Sequence, residues 1–129
     1  MLDHMMINVT DFERSRAFYQ AALAPLGFVV SKQIPVAAGF GVPHGHGKSS
    51  DPAGEFWISQ GPPQEPRLHV AFNAASRALV DEFFARALAA GGRDNGRPGV
   101  RPQYHANYYG AFVLDPDGYN VEAVCHLAP

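Results

Sequence analysis

Two stretches of this chain repeat one another at a fixed offset. His4 and His69, Phe18 and Phe83, Leu23 and Leu88, and Gly27 and Gly92 each stand 65 residues apart in a chain of 129. A period of half the length calls for two like-folded modules, residues 1–63 and 64–129, and it puts an imidazole at the same place in each. At this length the two halves are expected to share one core and form a single domain over residues 1–129.

Each module reads as βαβββ. His4 to Val9 alternates, with Ile7 and Val9 on one side and Asn8 on the other, as in a half-buried strand. Thr10 stands three residues before Glu13 in a capping-box spacing, and Phe12, Phe18, Tyr19, Ala22 and Leu23 recur at helical intervals, so a helix is predicted from about Asp11 to Ala24, stopped by Pro25 and Gly27. Strands follow over Phe28–Pro35, Ala37–Val42 and Glu55–Gln60, with an aperiodic loop from Pro43 to Gly54 that carries His44 and His46. In the second module Leu68–Phe72 is a strand, Ser76 caps a helix through Leu79, Val80, Phe83, Phe84, Ala87 and Leu88, and Gly91-Gly92 ends it. Arg93–Tyr109 is expected to be a weak strand and a long loop. Ala111–Leu114 and Asn120–Leu127 are strands joined by the tight turn Asp115-Pro116-Asp117-Gly118.

Composition excludes several functions. A formal net charge of −2, with 17% charged residues and no run of Lys or Arg, leaves no basic footprint for nucleic acid. No apolar run is long enough to span a bilayer, and no leader pattern is present, so the cytoplasm is the expected compartment. Cys125 is the single cysteine and lies in an apolar strand, where it is read as a small buried hydrophobe.

The strand-initial histidines in Leu2-Asp3-His4 and Leu68-His69-Val70-Ala71-Phe72, together with Ser15-Arg16-Ala17-Phe18-Tyr19 and the run Phe112-Val113-Leu114-Asp115-Pro116-Asp117-Gly118-Tyr119-Asn120-Val121-Glu122, resemble the vicinal oxygen chelate superfamily. Glyoxalase I, extradiol dioxygenases and the fosfomycin- and bleomycin-resistance proteins belong to it. The resemblance implies an α+β fold of two tandem βαβββ modules, whose curled mixed sheet forms a metal-binding cleft, often completed by dimerisation. It also implies a divalent ion (Fe, Mn, Zn or Ni) held by His4, His69 and Glu122. Two imidazoles and one carboxylate leave coordination positions open, which suits catalysis better than a closed structural site. A substrate could then chelate the ion through two adjacent oxygens. The expected function is therefore a metal-dependent lyase-like or extradiol-dioxygenase-like enzyme acting on a small organic molecule. The alternative is a metal-free protein that sequesters a drug or metabolite.

The chain departs from the glyoxalase I pattern at the fourth corner. The repeat mate of Glu122 is Trp57, which cannot ligate, and Glu55 is the nearest carboxylate, two residues away on the same strand face. A three-ligand site follows. The loop Arg97–Tyr109 supplies further candidates. His105 can exchange protons near neutral pH as a catalytic acid or base beside Glu122. Arg101, Tyr104, Tyr109 and Trp57 are candidate substrate contacts on the cleft wall and rim. Exposed strand edges in two small sheets point to a homodimer.

Overall fold

The computed structural model describes residues 1–129 and forms two four-stranded mixed sheets with one helix each. In the first module, β1 (Met5–Val9) leads to α1 (Phe12–Leu23), a single 3₁₀ turn (Ala24–Leu26), β2 (Val29–Ile34), β3 (Ala37–Gly41) and β4 (Phe56–Gln60). The second module holds β5 (His69–Asn73), α2 (Arg77–Ala89), β6 (Arg93–Val100), β7 (Tyr109–Leu114) and β8 (Asn120–Cys125). Strand order is β1-β4-β3-β2 in one sheet and β5-β8-β7-β6 in the other, so the expected duplication holds at the level of topology. Only β1/β4 and β5/β8 are parallel, each spanned by a crossover that contains the helix and a hairpin. Neither sheet closes on itself, and each leaves its first strand, β1 or β5, as an edge.

The helix starts differ from the capping-box expectation. Asp11, not Thr10, caps α1, its Oδ1 accepting from the Arg14 amide at 3.2 Å. The Thr10 amide instead donates to Asp117 Oδ2 of the second module at 3.0 Å, and Glu13 turns outward to Arg16 at 2.9 Å. A contact between modules has displaced a local one. Ser76 caps α2 as expected, accepting from the Leu79 amide at 3.3 Å. At the end of the first helical segment Gly27 takes φ 91°, the left-handed conformation that an L side chain resists.

One face of each sheet is buried. Ile7, Val9, Phe40, Phe56 and Ile58 of the first sheet and Val70, Phe72, Val113, Val121 and Ala123 of the second pack with Phe18, Tyr19 and Leu23 of α1 and Val80 and Phe83 of α2. They belong to one continuous cluster of 24 buried residues drawn from both modules. An aromatic ladder crosses the boundary: Phe72 meets Phe28 and Phe56 edge-on at 5.3 and 5.1 Å, and Phe56 meets Tyr19 at 5.0 Å. The helices lie between the sheets and pack on each other, so the opposite face of each sheet carries no helix. Cys125 is buried and unpaired. No helix is long and apolar enough to cross a membrane.

Candidate active site

Strand alternation on β8 sends Val121, Ala123 and Cys125 to the core, and so turns Asn120, Glu122 and Val124 to the helix-free face. Parallel pairing places His69 opposite Asn120 and Ala71 opposite Glu122. His69 is thus a diagonal neighbour of Glu122 on the same face, and its Nε2 lies 3.0 Å from Glu122 Oε1. The second carboxylate oxygen accepts a short hydrogen bond from the Tyr108 hydroxyl. Although it sits on the open face, the Glu122 side chain is only 3% exposed. Gly110 makes room beside it: a Cβ there would stand 3.1 Å from Oε2. Burial first, and then the bond to Glu122 and its negative charge, hold the Tyr108 phenol protonated well above its ordinary range, so Tyr108 is a donor.

The other side of the imidazole is also fixed. Asn120 Nδ2 lies 2.6 Å from His69 Nδ1, and Asn120 Oδ1 accepts from Asn95 Nδ2 at 3.1 Å. With an amide N–H on Nδ1, the ring proton resides on Nε2 and points at Glu122. A half-turn of the Asn120 amide would reverse this, with Oδ1 accepting from Nδ1–H and the Nε2 lone pair free to ligate.

An aromatic rim surrounds the Tyr108 ring, which meets Tyr104 at 4.8 Å, His126 at 5.3 Å and His105 at 5.4 Å. His105 Nδ1 accepts from the Asn107 amide at 3.1 Å, which leaves its Nε2–H to donate to His126 Nδ1 at 2.9 Å. Arg101 lies over the Phe112 ring at 5.4 Å, and its guanidinium is spent on the carbonyls of Gly99 and Arg97 at 2.8 and 2.7 Å, so it pins the loop. Phe112 pairs with Glu122 across the ladder and approaches the His69 ring at 6.0 Å.

The remaining sequence candidates lie elsewhere. Tyr109 faces the opposite way, donating to Asp81 Oδ1 of α2 at 2.6 Å beneath the Arg77 guanidinium, because alternation along β7 separates it from Tyr108 and Phe112. His4 immediately precedes β1 on the other sheet, exposed and bonded to Asp3 Oδ1 at 2.7 Å. Trp57 is the register counterpart of Glu122: Met6 pairs with Trp57 as Ala71 pairs with Glu122. Its indole N–H donates to the Gly54 carbonyl at 3.1 Å, and Glu55 accepts from Ser49 Oγ at 2.8 Å. Within one chain, no three His, Cys, Asp or Glu side chains converge to hold a metal ion.

Sequence reasoning missed Asn120 and His126 as site residues, and marked Tyr108 only as one of the three phenols of the Arg97–Tyr109 rim loop, not as the partner of Glu122. Period-two alternation from Glu122 would have found Asn120 and His126, two residues before it and four after it on the same strand line. Tyr108 is placed by the turn from Arg101 to Tyr108, whose closing hydrogen bond of 2.7 Å no sequence signal announces.

Comparison with known proteins agrees with this architecture. The family model of the Glyoxalase/Bleomycin resistance protein/Dioxygenase superfamily matches residues 1–123. Among solved structures, a glyoxalase/bleomycin resistance protein from Albidiferax ferrireducens is similar over 96% of this chain and 97% of its own, with 28% identity and a TM-score of 0.76. A glyoxalase I mutant from Zea mays is similar over 95% of this chain and 46% of its own, with 25% identity and a TM-score of 0.67. A genomically encoded fosfomycin resistance protein from Listeria monocytogenes shares the fold at 20% identity, with a TM-score of 0.70 over 98% of this chain and 93% of its own. No curated protein matches in sequence. With two βαβββ modules of identical strand order and a family match over nearly its whole length, the chain belongs to the Glyoxalase/Bleomycin resistance protein/Dioxygenase superfamily.

Proposed function

We propose that the chain is a metal-dependent enzyme of the glyoxalase or dioxygenase type, acting on a small organic molecule that offers two adjacent oxygens. The observation that carries this reading is the His69–Glu122 pair. Its donors stand 3.0 Å apart, the separation of two neighbouring ligands at right angles on an ion with bonds of about 2.1 Å. The carboxylate is almost buried, yet both of its partners are neutral donors, a phenol and an imidazole N–H; a cation would balance it better. The donor set therefore fits a divalent ion as half of a site. His4 is its repeat-related complement on the open face of the other sheet, and in this reading the third ligand is His4 of the partner subunit in a homodimer.

When bound, the ion supplies Lewis-acid stabilisation of a developing enolate or orients dioxygen. The chain supplies the rest. Asn120, with its amide turned so that Oδ1 accepts from His69 Nδ1–H, sets the tautomer whose Nε2 can ligate, and Tyr108 steadies Glu122 and presents its ring to the substrate. In the His105–His126 pair against that ring, His105 Nε2–H already donates to His126 Nδ1, so the proton the pair can offer a substrate is the one on His126 Nε2. Tyr104 and Phe112 form an aromatic wall for a planar ligand.

Calorimetric titration of the full chain with Fe(II), Mn(II), Zn(II) and Ni(II) tests the proposal. Saturable binding is expected, and His69→Ala, Glu122→Ala and His4→Ala should each lower affinity at least about tenfold, the cost of one of three ligands. Absence of saturable binding by the wild-type protein overturns it in favour of a metal-free ligand-binding protein.

A further inference from the structure

The Asn120 amide has a partner on each side, His69 Nδ1 at 2.6 Å and Asn95 Nδ2 at 3.1 Å. Asn95 reaches it through an irregularity of β6. Asp94 pairs with Val113, and Gly96 with Phe112, the next residue along β7, so Asn95 is the extra residue of a bulge, a device by which a strand re-aims a side chain beside a site. Two features build the bulge. Asp94 Oδ1 accepts from the Gly96 amide at 2.9 Å, and Gly96, at φ 152°, lets the strand lie against Phe112, where a Cβ would stand 2.9 Å from the ring. Three hydrogen bonds then share one direction, from Asn95 to Asn120, from Asn120 to His69, and from His69 to Glu122. An amide that turns its oxygen to one neighbour turns its N–H to the other. The direction of the first bond therefore dictates the second, and the second dictates which ring nitrogen of His69 holds the proton.

We propose that Asn95 is a positioning residue of the proposed metal site: acting through Asn120, it sets which nitrogen of His69 carries the proton, and so whether Nε2 is open to a divalent ion. Its consequence for an ion rests on the proposed function, whereas the relay itself is a property of the ion-free protein. With Asn95 donating, Nε2 is a donor to Glu122 and the site is closed. With the Asn95 amide turned so that Oδ1 accepts from Asn120 Nδ2, Asn120 Oδ1 faces His69 Nδ1–H, and Nε2 carries a lone pair. Both states need a side chain at this place that can give as well as take. The turn costs little because Asn95 is exposed, so water covers whichever of its polar atoms is left over.

Asn95→Asp tests this, because a carboxylate of the same shape can only accept. Glu122→Gln supplies a neutral background, in which the amide facing Nε2 serves either tautomer. Ring nitrogen shifts of His69, read by NMR without metal in alkaline buffer, where imidazoles are neutral, should place the proton mainly on Nε2 in Glu122→Gln. In the double variant Asn95→Asp, Glu122→Gln it should lie mainly on Nδ1. Adding Asn120→Ala should restore the parent pattern, whereas a through-space effect of the new charge would survive it. With Glu122 intact, Asn95→Asp should raise Zn(II) affinity about fivefold or more by calorimetry, and about twofold at most alongside Asn120→Ala. An unchanged tautomer in the double variant, or a change that survives Asn120→Ala, overturns the relay. The expected ring shifts with no zinc binding by any variant would support the relay and refute the metal site instead.

Discussion

Asp115 shows how one residue joins the halves. Its carboxylate is buried, with Oδ2 accepting from the Tyr19 hydroxyl of α1 at 2.5 Å and Oδ1 from the Asp117 and Tyr119 amides at 2.9 Å each. Burial raises its pKa above the ordinary value, while the Tyr19 and backbone donors pull it back. A carboxyl raised in the folded state favours folding most below its unfolded pKa of about 3.9, and this contribution is lost as pH rises through the folded value. Tyr19→Phe removes a donor to the charged form, so it should raise that pKa further and cost about 1.5–3 kcal/mol near neutral pH, where the carboxylate is ionised. Below the unfolded pKa the cost should shrink. Urea unfolding of both proteins at pH 7 and in acid measures this, and equal losses at the two pH values would refute it. The turn itself was readable as Asp-Pro-Asp-Gly. That its first Asp would be buried under Tyr19 was not, because the contact spans 96 positions. His69 and Glu122 came into view by another route, the resemblance to the vicinal oxygen chelate superfamily, because their contact too is long-range and spans 53 positions.

At the scale of elements, large and small residues have changed places between the two sheets. Gly39 pairs with Trp57 in the first, and Phe112 with Glu122 in the second, at equivalent ladder positions. The bulky aromatic thus sits on the central strand β4 in one module and on the neighbouring β7 in the other. A Cβ on Gly39 would stand 2.5 Å from the Trp57 ring and run into the Ala53 carbonyl oxygen, so the glycine exists to seat the indole. Gly39→Ala should destabilise the protein by about 1–3 kcal/mol through overpacking. It should also alter Trp57 fluorescence, and Trp57→Leu in the same chain should recover only part of the loss, because the Ala53 carbonyl still meets the new Cβ. Unchanged denaturation midpoint and emission in the single variant would remove this explanation. Helices and most strands follow the sequence pattern within a residue or two. The exception is β6, where Gly96, Pro98 and Gly99 obscure the period and the pairing with β7 slips twice. A strand held mainly by its neighbour leaves little trace in its own residues.

The whole molecule carries two sheets whose helix-free faces and edge strands β1 and β5 call for cover. A homodimer is the expected solution, and light scattering at micromolar concentration should report about twice the 14.0 kDa chain mass. A monomer throughout that range would oppose both the dimer and the third ligand drawn from a second copy. The sequence could announce the duplication but not which surfaces meet, because the open faces are built from alternate residues of strands that serve the core equally well. The exchange of Glu122 for Trp57 at one register position also turns counting into a measure of shape. If unlike faces meet, each dimer has two equivalent centres, each with an indole across from a carboxylate, and metal titrates to one ion per chain. If like faces meet, both carboxylates share one centre and both indoles the other, and saturation stops at one ion for every two chains. An equivalence point thus reports how two halves of an ancestral repeat have found one another.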